Sequence, residues 1–226
     1  MVSISDANAT PLNWFKLRFS AAGLLRLVPL AILPVSALAI MSAVAWASLT
    51  YEIPVSAFTR DMATIAQLPL YVSITSSLGA FLMCATATCC LFASAVARET
   101  GRDMPWHVLA AGLFSLYLAT DDFYELHDRL LPSLGIPQRL VYALIVTTAA
   151  AIAFRWWRGF LAFRPWLLAS ALFFLGLSMG FDLFDKPLWE LLGDWQFFWE
   201  DGAKLVGISL WATYFMGLAR HALSRP

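Results

Sequence analysis

The chain has 226 residues, of which 60% are hydrophobic and 13% charged, and its 15 basic residues balance its 15 acidic residues. Soluble domains are roughly 45–50% apolar and ~25% charged, so this composition excludes an ordinary soluble enzyme and a disordered chain. A net charge of zero also offers no basic surface to a nucleic acid, which excludes DNA and RNA as partners. The lipid bilayer is the partner that the composition predicts.

Six stretches of the chain are long and apolar enough to cross a membrane as α-helices, which takes about 20 mostly apolar residues each. The loops between them are short and leave no room for a soluble domain. We therefore predict an all-α polytopic membrane protein in which residues 1–226 form a single six-helix transmembrane domain. Residues 13–26 are predicted to form an interfacial helix before the first span. The six predicted spans are residues 27–49, 70–96, 106–131, 137–155, 165–184 and 197–219.

The distribution of charge predicts the orientation of the spans. If the N-terminus is cytoplasmic, ten of the fifteen basic residues and three of the fifteen acidic residues lie on the cytoplasmic side. Cytoplasmic loops carry the excess of Lys and Arg, so both termini are predicted to be cytoplasmic. The preference for Arg over Lys is typical of a GC-rich bacterial genome, and the expected location is then the inner membrane.

Carboxylates are concentrated in one part of the chain, because ten of the fifteen fall between positions 121 and 201. They lie at the ends of the third and fifth spans and at the start of the sixth, which the predicted topology brings to the same outer side. Asp121 lies ~22 Å along the third span from Trp106 at 1.5 Å per residue, which places it within the hydrocarbon. A charge there costs at least ~2.5 kcal/mol, and such a residue is a functional-site hypothesis by default.

Six side chains form the candidate site, with Lys204 as their predicted charge partner. If the third span is one continuous helix, Asp121, Glu125 and Asp128 share a face. On the sixth span, Glu200 and Lys204 are neighbours one helical turn apart. The candidate metal ligands are Asp121, Asp122, Glu125, His127, Asp182 and Glu200.

The acidic constellation has three interpretations. In the first, Lys204 neutralises Asp121 or Asp122 across spans, and the other acids form a wetted outer rim. In the second, the candidate ligands bind one divalent metal ion. Carboxylate oxygens suit Mg²⁺, Ca²⁺ or Mn²⁺, and an added imidazole admits Zn²⁺ or iron. In the third, the crowded carboxyl groups remain partly protonated. The excess of acids and the presence of His127 favour the divalent cation, whose identity the sequence leaves open.

The inner halves of the spans contain no carboxylate, so the predicted site is one-sided and faces the periplasm. This favours a cation-binding membrane protein over a proton-coupled transporter, which needs polar groups beyond the midplane. A membrane-embedded metal-dependent or acid–base enzyme acting on a lipid-like substrate is an alternative. A non-catalytic subunit or sensor of a membrane complex is another. The G-x-x-x-G motif of Gly176 and Gly180 would allow a homodimer or a larger membrane complex.

Overall fold

The structure, a computed structural model, describes residues 21–60, 65–69 and 72–224, and for residues 21–33 and 185 it describes the backbone alone. The chain forms two compact units, Met1–Leu70 and Tyr71–Pro226. All regular structure in the described residues is helical, as the sequence predicts. Residues 13–20, most of the predicted interfacial helix, lie outside the described residues.

The first unit contains one long helix and one short helix. Helix α1 (Ala21–Tyr51) includes the whole predicted first span, and the end of the predicted interfacial helix is continuous with it. Helix α2 (Ser56–Thr59) is a single turn.

Five long helices make up most of the second unit within residues 72–224, joined by turns and short helices. The long helices are α3 (Ile74–Glu99), α4 (Trp106–Tyr124), α6 (Gln138–Leu161), α7 (Pro165–Leu183) and α9 (Trp195–Ser224). The short elements are a π-turn (Leu126–Leu130), α5 (Leu131–Ser133) and α8 (Asp185–Leu192). Each predicted span from the second to the sixth overlaps one long helix, and the predicted third span also includes the π-turn.

Within the described residues, four helices are long and apolar enough to cross a membrane: part of α1 (Pro34–Tyr51), and α3, α6 and α7. Helices α4 and α9 do not meet the same criterion. They carry the buried acidic residue Asp121 and the lysine Lys204, and they contain many of the buried residues of the second unit. The side chain of Asp121 is therefore buried inside the second unit, as expected where charge must avoid lipid.

Helix α3 packs tightly on its neighbours because one face is made of small residues. Its buried positions recur every three or four residues, the spacing of one helical face, and most of them are Gly, Ala, Ser, Thr or Cys. A Cβ added at Gly112 of α4 would lie 2.9 Å from the Cβ of Cys90 of α3. A Cβ added at Gly207 of α9 would lie 2.9 Å from the backbone nitrogen of Leu175 of α7. Glycine thus sets the distance at both crossings.

Helix α6 is fully buried only near its two ends, and Ile145, Ala149 and Ile152 in its middle are partly buried against the core. Along the helix, all of which is described, the buried residues are Val141 near its start and Phe160 near its end. The hydroxyl of Tyr214 donates a hydrogen bond of 2.5 Å to the carbonyl of Phe160. That carbonyl is in the last turn of α6, where helices leave carbonyls without an internal partner. The backbone of α6 also departs from helical geometry at Trp156. The middle of α6, including Ala149, lines a cavity.

Candidate functional site

A cavity of the second unit has a volume of about 490 Å³ and lies between α6 and the helices α4, α7 and α9. Most of its wall is apolar, including Phe114, Ala149, Leu172 and Trp211. Gly176, the first glycine of the G-x-x-x-G motif, is also part of the wall. Ionisable side chains occupy one end of the cavity, and they are Asp122, His127, Asp128, Asp182, Glu200 and Lys204.

At this polar end, His127 is held between two carboxyl groups. Its Nδ1 lies 2.6 Å from Oδ2 of Asp121, and its Nε2 lies 3.2 Å from Oδ2 of Asp128. A neutral imidazole has one donor and one acceptor nitrogen, whereas an imidazolium donates from both. The contacts are satisfied if His127 is an imidazolium or if one of the two carboxyl groups carries the proton. In either state the three side chains share a proton.

A break in the third span creates this arrangement. Helix α4 ends at Tyr124, and Glu125 adopts a left-handed conformation with φ of 50°. Such a conformation is uncommon for a residue other than glycine and often occurs at functional sites. The π-turn that follows carries His127 back to Asp121. The expectation of one continuous helix over residues 106–131 is therefore corrected by the structure.

The same break moves Glu125 away from the cavity. Its Oε2 lies 2.5 Å from Nε of Arg129, and its side chain is 44% exposed. A continuous helix would have placed Glu125 on the same face as Asp121, and the left-handed residue removes that relation. The structure thus brings Asp128 to the cavity in place of Glu125.

Neutral donors hold Asp182 of α7 at the polar end. The hydroxyl of Tyr142 donates to Oδ2 of Asp182 at 2.5 Å, and Nε2 of Gln138 donates to the same oxygen at 3.2 Å. Nε2 of Gln138 also donates to Oδ1 of Asp128 at 2.7 Å. A chain of polar contacts consequently runs from Asp121 through His127 to Asp182, linking α4, the π-turn, α6 and α7. We call the six side chains of this chain the polar network: Asp121, His127, Asp128, Gln138, Tyr142 and Asp182.

Lys204 of α9 forms an ion pair with Asp122 of α4, through Nζ and Oδ1. Of the two neighbouring acids, Asp122 is therefore the one that Lys204 contacts. The side chain of Asp122 is 12% exposed and that of Lys204 is 34% exposed. The pair also lines a small pocket of about 10 Å³, together with Thr75, Ser76 and Asp201. A pocket of this size has room for about one water molecule.

Two buried carboxyl oxygens have no hydrogen-bond partner among the described residues. They are Oδ1 of Asp121 and Oδ2 of Asp122. The side chain of Asp121 is only 6% exposed, so its second oxygen is nearly sealed from solvent. An unsatisfied buried oxygen of a charged group is costly. The interior at this end of the cavity therefore has more acceptor groups than donors.

Of the predicted site residues, the structure brings five to the polar end. Asp122, His127, Asp182 and Glu200 line the cavity, and Asp121 contacts His127 from behind. Lys204 lies among them, and Glu125 is the residue left out.

Three members of the polar network were not candidate residues in the sequence, and they are Asp128, Gln138 and Tyr142. Gln138 and Tyr142 lie one turn apart at the start of α6 and face Asp182. The spacing of four residues between two polar side chains at the start of an apolar span is the signal that could have indicated them.

No group of three or more His, Cys, Asp or Glu side chains that could hold a metal ion occurs in the described ranges 21–60, 65–69 and 72–224. Both nitrogens of His127 face carboxylates of the network, and Glu125 is paired with Arg129. The divalent-cation site remains a prediction from the sequence.

Comparison with protein families places the chain in one of them. The family profile described as "Domain of unknown function (DUF8692)" matches residues 31–218. The chain belongs to this family. The match includes every residue of the cavity and of the polar network, so the site lies inside the DUF8692 domain. Comparisons with curated proteins and with solved structures give no match.

Proposed function

We propose that this DUF8692 domain is a six-span inner-membrane protein that binds a lipid-like amphiphile. The tail of the amphiphile lies in the cavity beside α6, and its head lies at the polar end. The observation that carries the proposal is a single cavity whose wall is apolar along most of its length and ionisable at one end. Ligand cavities of proteins commonly have volumes of about 300–1,000 Å³ with a few convergent polar groups, and this cavity falls within that range.

The apolar wall of the cavity supports an amphiphile as the ligand rather than a small polar metabolite. Burial of apolar surface stabilises a bound tail by roughly 25 cal/mol per Å² removed from water. Side chains such as Ile145, Ala149, Leu172 and Leu175 offer that surface. A small polar metabolite would contact the ionisable end only, and the apolar part of the cavity would remain unfilled.

The proposed topology has both termini in the cytoplasm and the polar end of the cavity in the outer half of the membrane. The charge distribution supports it, because the positive side of a multi-pass protein faces the cytoplasm. A reporter active only in the periplasm should be inactive when fused after Pro226 and active when inserted at Gly135, in the turn before α6. The opposite pattern would place the polar end of the cavity on the cytoplasmic side.

Binding is tested with a variant that fills the cavity without disturbing the fold. A Cβ added at Gly176 meets no atom within 4 Å, so Gly176→Leu should project into the cavity without a clash. Gly180→Leu is the matched control, because Gly180 is one turn away, also has open space at its Cβ, and does not line the cavity. Both substitutions remove a glycine from a helix and should be similarly tolerated.

The measurement is native mass spectrometry of protein extracted in a mild detergent from cells. We expect the parent protein and Gly180→Leu to carry a stoichiometric lipid-like adduct, and Gly176→Leu to lose it. Equal adducts on all three proteins, or none on the parent, would contradict the proposal. Circular dichroism of each variant verifies that a lost adduct does not reflect a lost fold.

A further inference from the structure

We infer that the amphiphile carries a cationic head group, such as a primary ammonium, which binds at the carboxylate of Asp182. This inference rests on the proposed function and adds the chemical class of the ligand. It follows from the charges at the polar end of the cavity and from the partners that each charged group already has.

Acidic groups outnumber basic groups at the polar end. Four acidic side chains line the cavity there, a fifth lies directly behind His127, and the basic side chains lining the cavity are His127 and Lys204. Coulombic interactions are strong where water is excluded, so an excess of negative charge in this region favours a positive ligand group. The acidic residues concerned are Asp121, Asp122, Asp128, Asp182 and Glu200.

The basic groups are already engaged by carboxylates and are poorly placed to bind an anionic head group. Nζ of Lys204 is paired with Oδ1 of Asp122, and both ring nitrogens of His127 face carboxylate oxygens. A carboxylate or phosphate head at Lys204 would lie beside Asp122 and near the other carboxylates at this end of the cavity. Repulsion between like charges in a region of low dielectric disfavours an anionic head there.

Asp182 lines the cavity and has no cationic partner among the residues that the structure describes. The side-chain hydrogen bonds that it accepts come from Tyr142 and Gln138, which are neutral, and both end on Oδ2. Oδ1 is then available to accept from a ligand. An ammonium has three donors and no acceptor, which suits a carboxylate held in this way. A hydrogen bond between two ionised groups is roughly twice as strong as one between neutral groups.

Oδ1 of Asp121, which lacks a partner among the described residues, gives a second and independent reason to expect a cationic head group. It belongs to a side chain that is more than nine-tenths buried, and no described residue donates to it. If Asp121 is ionised, His127 compensates its negative charge only through Oδ2. His127, the residue that Asp121 contacts, lines the cavity, so a cation bound at the polar end is attracted by this charge.

The test compares three probes with the same twelve-carbon chain and different heads: dodecylammonium, dodecanol and dodecanoate. Each is titrated against the full-length protein in nanodiscs of uncharged phosphatidylcholine, and saturable binding is measured by native mass spectrometry. We expect dodecylammonium to bind at one site at least tenfold more tightly than the other two probes. Gly176→Leu should abolish this saturable binding.

The variant Asp182→Asn tests the residue that receives the head. It should lose at least tenfold in affinity for dodecylammonium and leave the affinity for dodecanol nearly unchanged. Asp194→Asn is the matched control, because Asp194 is exposed and does not line the cavity. If Asp182→Asn does not fold, Tyr142→Phe replaces it. That variant keeps the carboxylate and removes a donor from it, so the preference for the cation should persist or increase.

The outcomes separate this inference from the proposed function. If the three probes bind equally well and Gly176→Leu abolishes binding of each, the cavity binds amphiphiles. The inference that the head group is cationic is then wrong. Tighter binding of dodecanoate would overturn the inference in the same way. If no probe shows saturable binding to the parent protein, the proposed function itself fails.

Discussion

Replacement of Lys204 by Met should destabilise the protein markedly, because it removes the cation that compensates Asp122. Methionine is similar to lysine in length, so the packing of α9 changes little while the charge disappears. Asp122 would then keep a carboxylate whose Oδ1 has lost its ion-pair partner and whose Oδ2 already has no partner among the described residues.

The magnitude follows from the burial of the two side chains. Breaking a buried ion pair by removing one partner typically costs ~3–5 kcal/mol. Lys204 is 34% exposed and Asp122 is 12% exposed, so solvent reaches part of the pair and the lower end of that range applies. A loss of about 3 kcal/mol corresponds to a decrease in Tm of roughly 6–12 °C for a chain of this size.

The assay is thermal unfolding in detergent, followed by circular dichroism. Lys186→Met is the matched control, because Lys186 is exposed, and it should change stability by no more than about 0.5 kcal/mol. The double variant Lys204→Met with Asp122→Asn should recover much of the lost stability, since the uncompensated charge is gone. A Lys204→Met protein as stable as the parent would refute the reasoning and show that the ion pair compensates nothing.

Three further outcomes are expected. Gly207→Ala should destabilise by about 1–3 kcal/mol, because its Cβ would lie 2.9 Å from the backbone nitrogen of Leu175, whereas Gly202→Ala, which has open space, should not. Tyr214→Phe should cost about 1–3 kcal/mol in thermal unfolding, because the carbonyl of Phe160 loses its donor, and an unchanged Tm would contradict that role. If the sequence-predicted divalent cation binds, Mg²⁺, Ca²⁺, Mn²⁺ or Zn²⁺ should raise the Tm with concentration, and no shift with any of them would exclude the site.

The long helices could be predicted from the sequence because segments that are about 20 residues long and mostly apolar are typical of membrane-spanning helices. The predicted span 165–184 and α7 (Pro165–Leu183) differ by one residue at the end. A partner for the buried acids could also be predicted, since a buried carboxylate requires one and few basic residues lie on the predicted outer side.

The composition of the site was less predictable because it depends on a local break in a helix. A continuous third span would have placed Glu125 beside Asp121, but the left-handed backbone at Glu125 and the π-turn bring His127 and Asp128 there. Residues 121–131 contain no glycine or proline, so the sequence has no residue that would indicate a break in the helix there. Tyr142 was missed for a different reason, since a lone tyrosine in an apolar span is usually part of the lipid interface or the core.

Photo-crosslinking tests the central claim, that an amphiphile occupies the cavity beside α6, most directly. A dodecylammonium probe with a diazirine at the end of its chain is activated in nanodiscs containing the parent protein, and the labelled peptides are mapped. We expect saturable labelling of cavity residues such as Ala149 and Leu172, lost in Gly176→Leu. Labelling concentrated on lipid-facing side chains such as Phe154 and Phe173, and equal in the parent protein and in Gly176→Leu, would contradict the account.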